Sequence, residues 1–331
     1  MTDAQGTATA VRTGLFIGGA ERFTAAVLTV ADPGRPGAVV GEAAAASPAD
    51  VADAVAAARQ AYPAWAALGA AERARLMAEA IAGIADDRDA DAAILSQENG
   101  KIRMEAWVDA LVFEIRWNLA LALADEVEKG HTLPAVPGAI PVSTQVAHQP
   151  LGVVTVIVPF NWPIAILGAA LPHALLAGNT AIVKPPPSAP LATTRVVQRV
   201  AEKLPPGVLN VVTGRDEDMA GLITDVDKVC FTGSVNGGKR IMEMAARSLT
   251  RVTLELGGND AAVLLEDAII DDTHLDRLYA AIYDTTGQIC MNAKRVFVHR
   301  SRLDEGTTMG PLHQSAQKAS FASWMISATN A

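Results

Sequence analysis

Val153-Val154-Thr155-Val156-Ile157-Val158 is an unbroken apolar, largely β-branched run, and Pro159-Phe160-Asn161-Trp162-Pro163 follows it directly. Such a run predicts a strand buried on both faces, as in a parallel sheet covered by helices. The five residues after it predict a loop, because two prolines bracket them. The pattern then repeats. Ile164 to Ala177 predicts a helix, Gly178-Asn179-Thr180 a turn, and Ala181-Ile182-Val183-Lys184 a second strand. Pro185-Pro186-Pro187 can continue neither element. Leu191 to Lys203 predicts a helix, Val208 to Val212 a strand, Asp216 to Ile223 a helix and Lys228 to Phe231 a strand. Gly237 to Ser248 predicts a helix and Val252 to Leu256 a strand. This alternation predicts an α/β fold, a Rossmann-like doubly wound parallel sheet. Such sheets bind ligands beyond the carboxyl ends of their strands.

Upstream, Val11 to Ala31 alternates weakly about a Gly18-Gly19 turn and predicts short edge strands. Ser47-Pro48-Ala49-Asp50 offers an N-cap, a proline at the first helical position and an acidic first turn. The helix it opens is expected to run to about Trp65. Ala70 to Asp86 repeats the helical pattern, with Leu76, Met77, Ile81 and Ile84 on one face. Asp87 to Gly100 and Ile102 to Val127 predict further helices, the last ended by Gly130. A loop is expected from His131 to Pro141, with a strand-like excursion between Ile140 and Pro150. The expected division is 1–255, a nucleotide-binding domain carrying that excursion, and 256–331, a partial catalytic domain.

Composition narrows the function. The chain has 331 residues, half of them hydrophobic, with 27 Lys and Arg against 36 Asp and Glu, a formal charge of −9. No long basic run exists, so nucleic acid is not expected as a partner. The most apolar stretch, Leu151 to Gly178, is interrupted by Asn161, Pro163, Pro172 and His173. It predicts a buried strand and helix rather than a membrane span. The start lacks a basic segment followed by an apolar one, so no secretory signal is expected. Two cysteines, Cys230 and Cys290, make neither a disulfide framework nor a zinc site. They suit a reducing, cytoplasmic compartment. The six histidines are scattered without metal-ligand spacing, and no metal is expected.

The candidate chemistry lies in Leu254-Glu255-Leu256-Gly257-Gly258-Asn259 and Gly287-Gln288-Ile289-Cys290. A cysteine is a nucleophile when ionised, and a glutamate in a dry pocket can take a proton from water. Together they can form a thioester and hydrolyse it. Cys290 follows the polar, glycine-bearing Thr285-Thr286-Gly287-Gln288, whereas Cys230 lies between Val229 and Phe231 in an apolar strand and is read as core. Phe231-Thr232-Gly233-Ser234-Val235-Asn236-Gly237-Gly238 spans a strand-to-helix turn, where a helix N-terminus can hold a pyrophosphate. Its spacing is G-x-x-x-x-G rather than G-x-G-x-x-G, so an ordinary glycine-rich turn is the competing reading. Lys184 ends a strand at the ligand edge and is either a ribose or phosphate ligand or a solvated lysine. Asn161 is either an oxyanion donor or a turn residue.

Taken together, these segments resemble the aldehyde dehydrogenase superfamily. The resemblance rests on Pro159-Phe160-Asn161-Trp162-Pro163, Gly178-Asn179, Lys184-Pro185, Phe231-Thr232-Gly233-Ser234, Leu254-Glu255-Leu256-Gly257-Gly258 and Gly287-Gln288-Ile289-Cys290, in that order and spacing. It begins upstream, at Ala61-Tyr62-Pro63-Ala64-Trp65 and Gln97-Glu98-Asn99-Gly100-Lys101, and continues to about Asp304. It implies that Cys290 attacks an aldehyde carbon, that Asn161 and the Cys290 N–H hold the oxyanion, and that hydride passes to NAD or NADP. Glu255 would activate the water that releases the acid. The carboxylate at 255 favours hydrolysis over transfer to coenzyme A. Cofactor contacts are implied at Pro159, Phe160, Trp162, Lys184, Gly214, Gly233, Ser234, Gly238 and Leu256. Lys184 would face the adenosine ribose and Gly233 to Gly238 the pyrophosphate.

The sequence departs from the family in two places. NAD-preferring members often carry a glutamate three residues after the Lys184 position. Pro187 stands here and cannot bind ribose hydroxyls, so NAD and NADP both remain open. Beyond Glu305, the family's intervening helix is absent before Gly306-Thr307-Thr308-Met309-Gly310-Pro311-Leu312, and the later glutamate–phenylalanine motif and C-terminal oligomerisation strand are missing. An internal deletion and a C-terminal truncation are the expected cause, leaving an incomplete α/β catalytic domain. Three readings stand at this point: an aldehyde dehydrogenase, an inactive remnant that binds nucleotide, and a subunit that pairs with a complete paralogue.

Overall fold

The computed structural model describes residues 10–134 and 143–302. The chain divides into two compact units. Of the described residues, the first holds 10–134, 143–258 and 283–292, the second 259–282 and 293–302.

In the first unit, the run at Val153 becomes β8, Val153–Ile157, the middle one of the five parallel strands of a seven-stranded sheet. In chain order the earlier strands are β1 (Val11–Thr13), β2 (Leu15–Ile17), β3 (Ala20–Arg22), β4 (Val27–Ala31), β5 (Val39–Ala44), β6 (His131–Leu133) and β7 (Thr144–Val146). The later ones are β9 (Thr180–Lys184), β10 (Leu209–Val211), β11 (Lys228–Gly233) and β12 (Arg251–Leu256). The sheet order is β12-β11-β8-β9-β10-β2-β3. The five strands from β12 to β10 are parallel, and β2 and β3 extend the sheet antiparallel.

Strand side chains alternate between faces, and the two cores follow that alternation. Val154, Val156, Ala181, Val183, Leu209 and Val211 share one core with Ile164, Leu167, Leu171, Val196 and Val197. Those last residues lie on α6 (Pro163–Leu176) and α7 (Leu191–Ala201). Val153, Ile182, Val229, Leu15 and Ile17 pack on the opposite face against Val51, Ala54, Leu222, Ile241 and Ala245. These belong to α1 (Pro48–Ala66), α8 (Gly221–Thr224) and α9 (Val235–Ala245). The sheet is thus doubly wound, which explains why its central strands carry apolar residues on both faces. The remaining helices of this unit are α2 (Ala70–Ile81), α3 (Arg88–Asn99), α4 (Arg103–Leu121) and α5 (Ala124–Glu128). Trp65, Met77, Phe113 and Trp117 fill the space beside α6.

Local signals explain the element ends. Ser47 forms a capping box with Asp50, accepting from its N–H and donating its own N–H to the carboxylate. The Ser47 contacts hold the Asp50 carboxyl below its usual range. Gly100 ends α3 with φ 82°, a conformation L side chains rarely adopt, and donates to the Ser96 carbonyl.

Several elements differ from the sequence expectation. Val39–Ala44 forms β5, between β1 and β4 in a separate three-stranded sheet; its Gly and Ala content hides it. The helix expected over Asp216 to Ile223 is a 3₁₀ turn at Asp216–Asp218 and the short α8. Ile102 to Val127 breaks into α4 and α5. His131–Leu133 is a strand rather than a loop, paired antiparallel with Thr144–Val146. Residues 135–142, where that loop and the start of the excursion were expected, lie outside the described residues. So does 303–331, with the joined segment and the tail.

In the second unit, β13 (Asp260–Leu264) and β14 (Ala293–Val298) pair in parallel, and the exposed helix α10 (Asp272–Tyr283) lies between them in sequence. Val263, Val296 and Phe297 are exposed. Among the described residues no helix is long and apolar enough to cross a membrane.

Candidate active site

Strand order fixes where a ligand can sit. The chain lays down β8, β9 and β10 outward in one direction, then crosses back to place β11 on the other side of β8. The helix after β8 packs on one face of the sheet and the helix after β11 on the other. The loops Pro159–Trp162 and Gly233-Ser234 thus leave the carboxyl edge toward opposite faces, the point at which sheets of this order hold a ligand.

The loop after β8 is tied down from below. Asn99 Nδ2 donates to the Phe160 carbonyl at 3.1 Å. Lys101 Nζ donates to Asp109 Oδ2 at 2.8 Å, with both side chains buried. The other Asp109 oxygen accepts the Ala165 N–H at 2.5 Å, in the first turn of α6. Burial pushes the Asp109 carboxyl up and the Lys101 ammonium down, and each opposes the shift in the other. The ammonium also lies 3.9 Å from the centre of the Trp162 ring, a cation–π contact.

The loop that carries Cys290 belongs to the same unit. Thr285, Thr286 and Gly287 take φ of 53°, 57° and 71° in succession. Left-handed backbone at two β-branched residues costs about 1–3 kcal/mol each and persists only where the surroundings impose it. Here they do. Thr285 is 3% exposed. Its Oγ1 accepts from Trp162 Nε1 at 3.0 Å, and its N–H donates to Glu105 Oε1 at 2.8 Å. Asn161 Nδ2 donates to the Gln288 carbonyl at 2.7 Å. Asn292 Nδ2 closes the loop on the Asp284 carbonyl at 2.9 Å.

The structure therefore brings Asn161 and the loop of Cys290 together through Gln288. Cys290 is exposed; Cys230 is half-buried in β11, where burial pushes its thiol up. Asn161 Oδ1 is buried without a hydrogen-bond partner. Glu255 is exposed on β12, opposite Thr232 of β11, two strands from β8 at the same edge of the sheet.

The expected cofactor residues distribute along this edge. Pro159 and Trp162 are half-buried and Phe160 is exposed. Lys184 ends β9 with its side chain buried, and its ammonium pairs with the exposed carboxylate of Asp216. Gly214 is buried under Met219, and a Cβ there would lie 2.4 Å from the methionine methyl. Ser234 caps α9, accepting the Gly237 N–H at 3.0 Å. The helix begins at Val235, so Gly237 and Gly238 lie in its first turn rather than in the preceding loop. Gly238 has Leu256 against it, where a Cβ would come within 2.6 Å, and the Phe231 ring covers Gly233 and Gly237. Ser234, Val235 and Asn236 are exposed and the first turn holds no acidic side chain. That open helix N-terminus suits an anion.

The sequence shows Asn99 and Thr285 only as members of motifs, with no role of their own, and Glu105 and Asp109 not at all. Asp109 had a signal. It falls on the stripe Ala106, Asp109, Phe113, Trp117 and Ala120, all buried on α4, and a carboxylate on an apolar stripe demands a partner.

The aldehyde dehydrogenase family model matches residues 22–321. The chain belongs to the aldehyde dehydrogenase family. Aldehyde dehydrogenase 1A1 of Macaca fascicularis is 37% identical over 266 residues, covering 78% of this chain and 52% of the relative. The chain thus spans about half the length of the curated relatives it matches. The NAD-dependent aldehyde dehydrogenase of Sinorhizobium meliloti superposes with a TM-score of 0.84 at 31% identity, covering 95% of this chain and 67% of that one. PnpE, from Pseudomonas sp. WBC-3, was solved with nicotinamide adenine dinucleotide. It superposes with a TM-score of 0.81 at 35% identity, covering 87% of this aldehyde dehydrogenase chain and 60% of PnpE.

Proposed function

We propose that this chain oxidises an aldehyde to a carboxylic acid with NAD or NADP, through a thioester on Cys290. The observation that carries the proposal is the 2.7 Å bond from Asn161 Nδ2 to the Gln288 carbonyl, which sets an amide donor of the β8 loop against the loop of the exposed cysteine.

The residues at the carboxyl edge fit a dinucleotide. The acid-free, exposed N-terminus of α9 offers N–H groups to a pyrophosphate, and it stands at the point where the strand order reverses beside β8. Lys184 would serve the ribose. Pro187 offers no carboxylate for ribose hydroxyls, which keeps NADP admissible beside NAD. When bound, the nicotinamide supplies a hydride acceptor.

The Cys290 thiolate adds to the carbonyl carbon, and the side-chain amide of Asn161 and the Cys290 N–H steady the resulting oxyanion. Collapse of that adduct leaves a thioester, and the hydride released with its electron pair would go to the acceptor that the nicotinamide supplies when bound. Glu255 removes a proton from a water molecule, which attacks the thioester. The acid departs and the thiolate is restored. This chemistry needs Cys290 reduced, and we place it in a cytoplasmic, reducing compartment.

The test is nucleotide binding by calorimetry, followed by rapid mixing of the chain with NAD or NADP and a panel of aliphatic and aromatic aldehydes. We expect aldehyde-dependent nucleotide reduction in the first turnover, abolished by Cys290→Ala. Reduction that survives this substitution, or absence of nucleotide binding, would overturn the assignment.

A further inference from the structure

We propose that Glu105 is a positioning residue: its carboxylate holds the Thr285–Gly287 turn in its left-handed form and thereby fixes where Cys290 stands. The proposal rests on the reading of Cys290 as nucleophile.

Glu105 and Asp109 lie one turn apart on the same side of α4, so a single rigid helix reaches both loops of the site. Asp109 accepts the Ala165 N–H and so holds the start of α6, beside the loop of Asn161. Glu105 accepts the Thr285 N–H and so holds the loop of Cys290. Lys101 pairs with Asp109, feels the charge of Glu105, and lies under Trp162. Trp162 in turn donates to the Thr285 hydroxyl. The circuit closes on Thr285, whose N–H and Oγ1 are both engaged. Glu105 is remote in sequence from everything it restrains, since its bond to Thr285 spans 180 positions. A loop with three successive left-handed residues has no local reason to keep that shape. The Glu105 bond supplies a non-local one.

The experiment does not depend on aldehyde turnover. Cys290 is tagged with a trifluoromethyl ketone reagent in a Cys230→Ala background, and fluorine NMR is recorded beside amide hydrogen exchange at Thr285. We expect one narrow resonance and a protected amide in the parent and in Glu105→Gln, which keeps an acceptor oxygen. Glu105→Ala should broaden or split the resonance and speed Thr285 exchange by at least about tenfold. Should the alanine variant fail to fold, Glu105→Asp, which withdraws the oxygens by one methylene, takes its place with the same expectation. Unchanged spectra and exchange in the alanine or aspartate variant would overturn the proposal, as would a glutamine variant no better than alanine or a parent already heterogeneous. Failure of the aldehyde reading shows separately, as absent nucleotide reduction in the parent. Where reduction is observed, Glu105→Ala should slow the first turnover by about 10²-fold, leaving the nucleotide KM unchanged.

Discussion

The indole N–H of Trp162 donates to the hydroxyl of Thr285 at 3.0 Å, across 123 positions of sequence. The bond joins the loop that follows the central strand to the loop that carries Cys290. Trp162→Phe removes the donor and leaves a buried hydroxyl without a partner. The expected loss is about 1–3 kcal/mol, measured by urea denaturation. A loss indistinguishable from zero would mean that Thr285 readily finds another donor.

Thr286 is exposed and carries φ of 57°. Asparagine tolerates left-handed backbone far better than a β-branched residue. Thr286→Asn should therefore raise stability by about 1 kcal/mol, read as a shift in the denaturation midpoint at constant slope. A fall in the midpoint would show that the Thr286 side chain contributes more than its backbone costs.

Lys101 and Asp109 form a buried pair. Lys101→Met leaves the Asp109 carboxylate uncompensated, and about 3–5 kcal/mol of stability should be lost. Adding Asp109→Leu should recover part of that loss, though not the Ala165 N–H bond. A double variant no more stable than Lys101→Met would count against this account.

Glu98 predicts a pH dependence of stability. Its carboxylate accepts the Leu191 and Ala192 N–H groups at 2.7 and 2.9 Å, at the start of α7. Complete burial outweighs those bonds and pushes its pKa from the ordinary 4.5 up to about 8. Between those values the folded state keeps a proton that the unfolded chain has released. Stability contributed by this group is therefore whole below pH 4.5, falls as pH rises, and is lost above about 8. The slope is at most about 1.4 kcal/mol per pH unit. Denaturation curves across this range should show the decline in the parent and a flatter profile in Glu98→Gln. Equal slopes would show that Glu98 is ionised throughout.

The two thiols should react unequally. Cys290 is exposed, whereas Cys230 is half-buried with its thiol pushed up by burial. Brief alkylation of the folded protein followed by peptide mapping should label Cys290 first. Preferential labelling of Cys230 would remove the basis for Cys290 as nucleophile.

The sheet was legible because Val153 to Val158 and its successors carry the apolar excess that two covered faces require. β5 is hidden because Val39–Ala44 holds a glycine and alanines and is the middle strand of a small separate sheet of three. The helix expected at Asp216 is divided into a 3₁₀ turn and α8, and the first residue of that turn pairs with Lys184, a contact 32 positions away that no local pattern records. At the site, Asn161 and Cys290 stood out as residue types in polar loops. The restraints on them did not, since Glu105–Thr285 and Asn161–Gln288 join positions 180 and 127 apart and no local pattern records such a pairing. Lys101 is visible within a motif, but its role depends on a carboxylate eight positions on, inside α4.

The place of β8 in the sheet also bears on how the chain is made. It is the first of the five parallel strands to leave the ribosome, yet it ends in the middle of them. β9 covers one of its edges early. The other edge waits for β11, roughly 70 residues later, which at about 5–20 residues per second is an interval of several seconds. For that time a valine-rich strand presents open backbone on one side, the condition under which nascent chains pair with the wrong neighbour. Synthesis of this protein therefore passes through a window in which one backbone edge of its central parallel strand has no partner from the finished sheet.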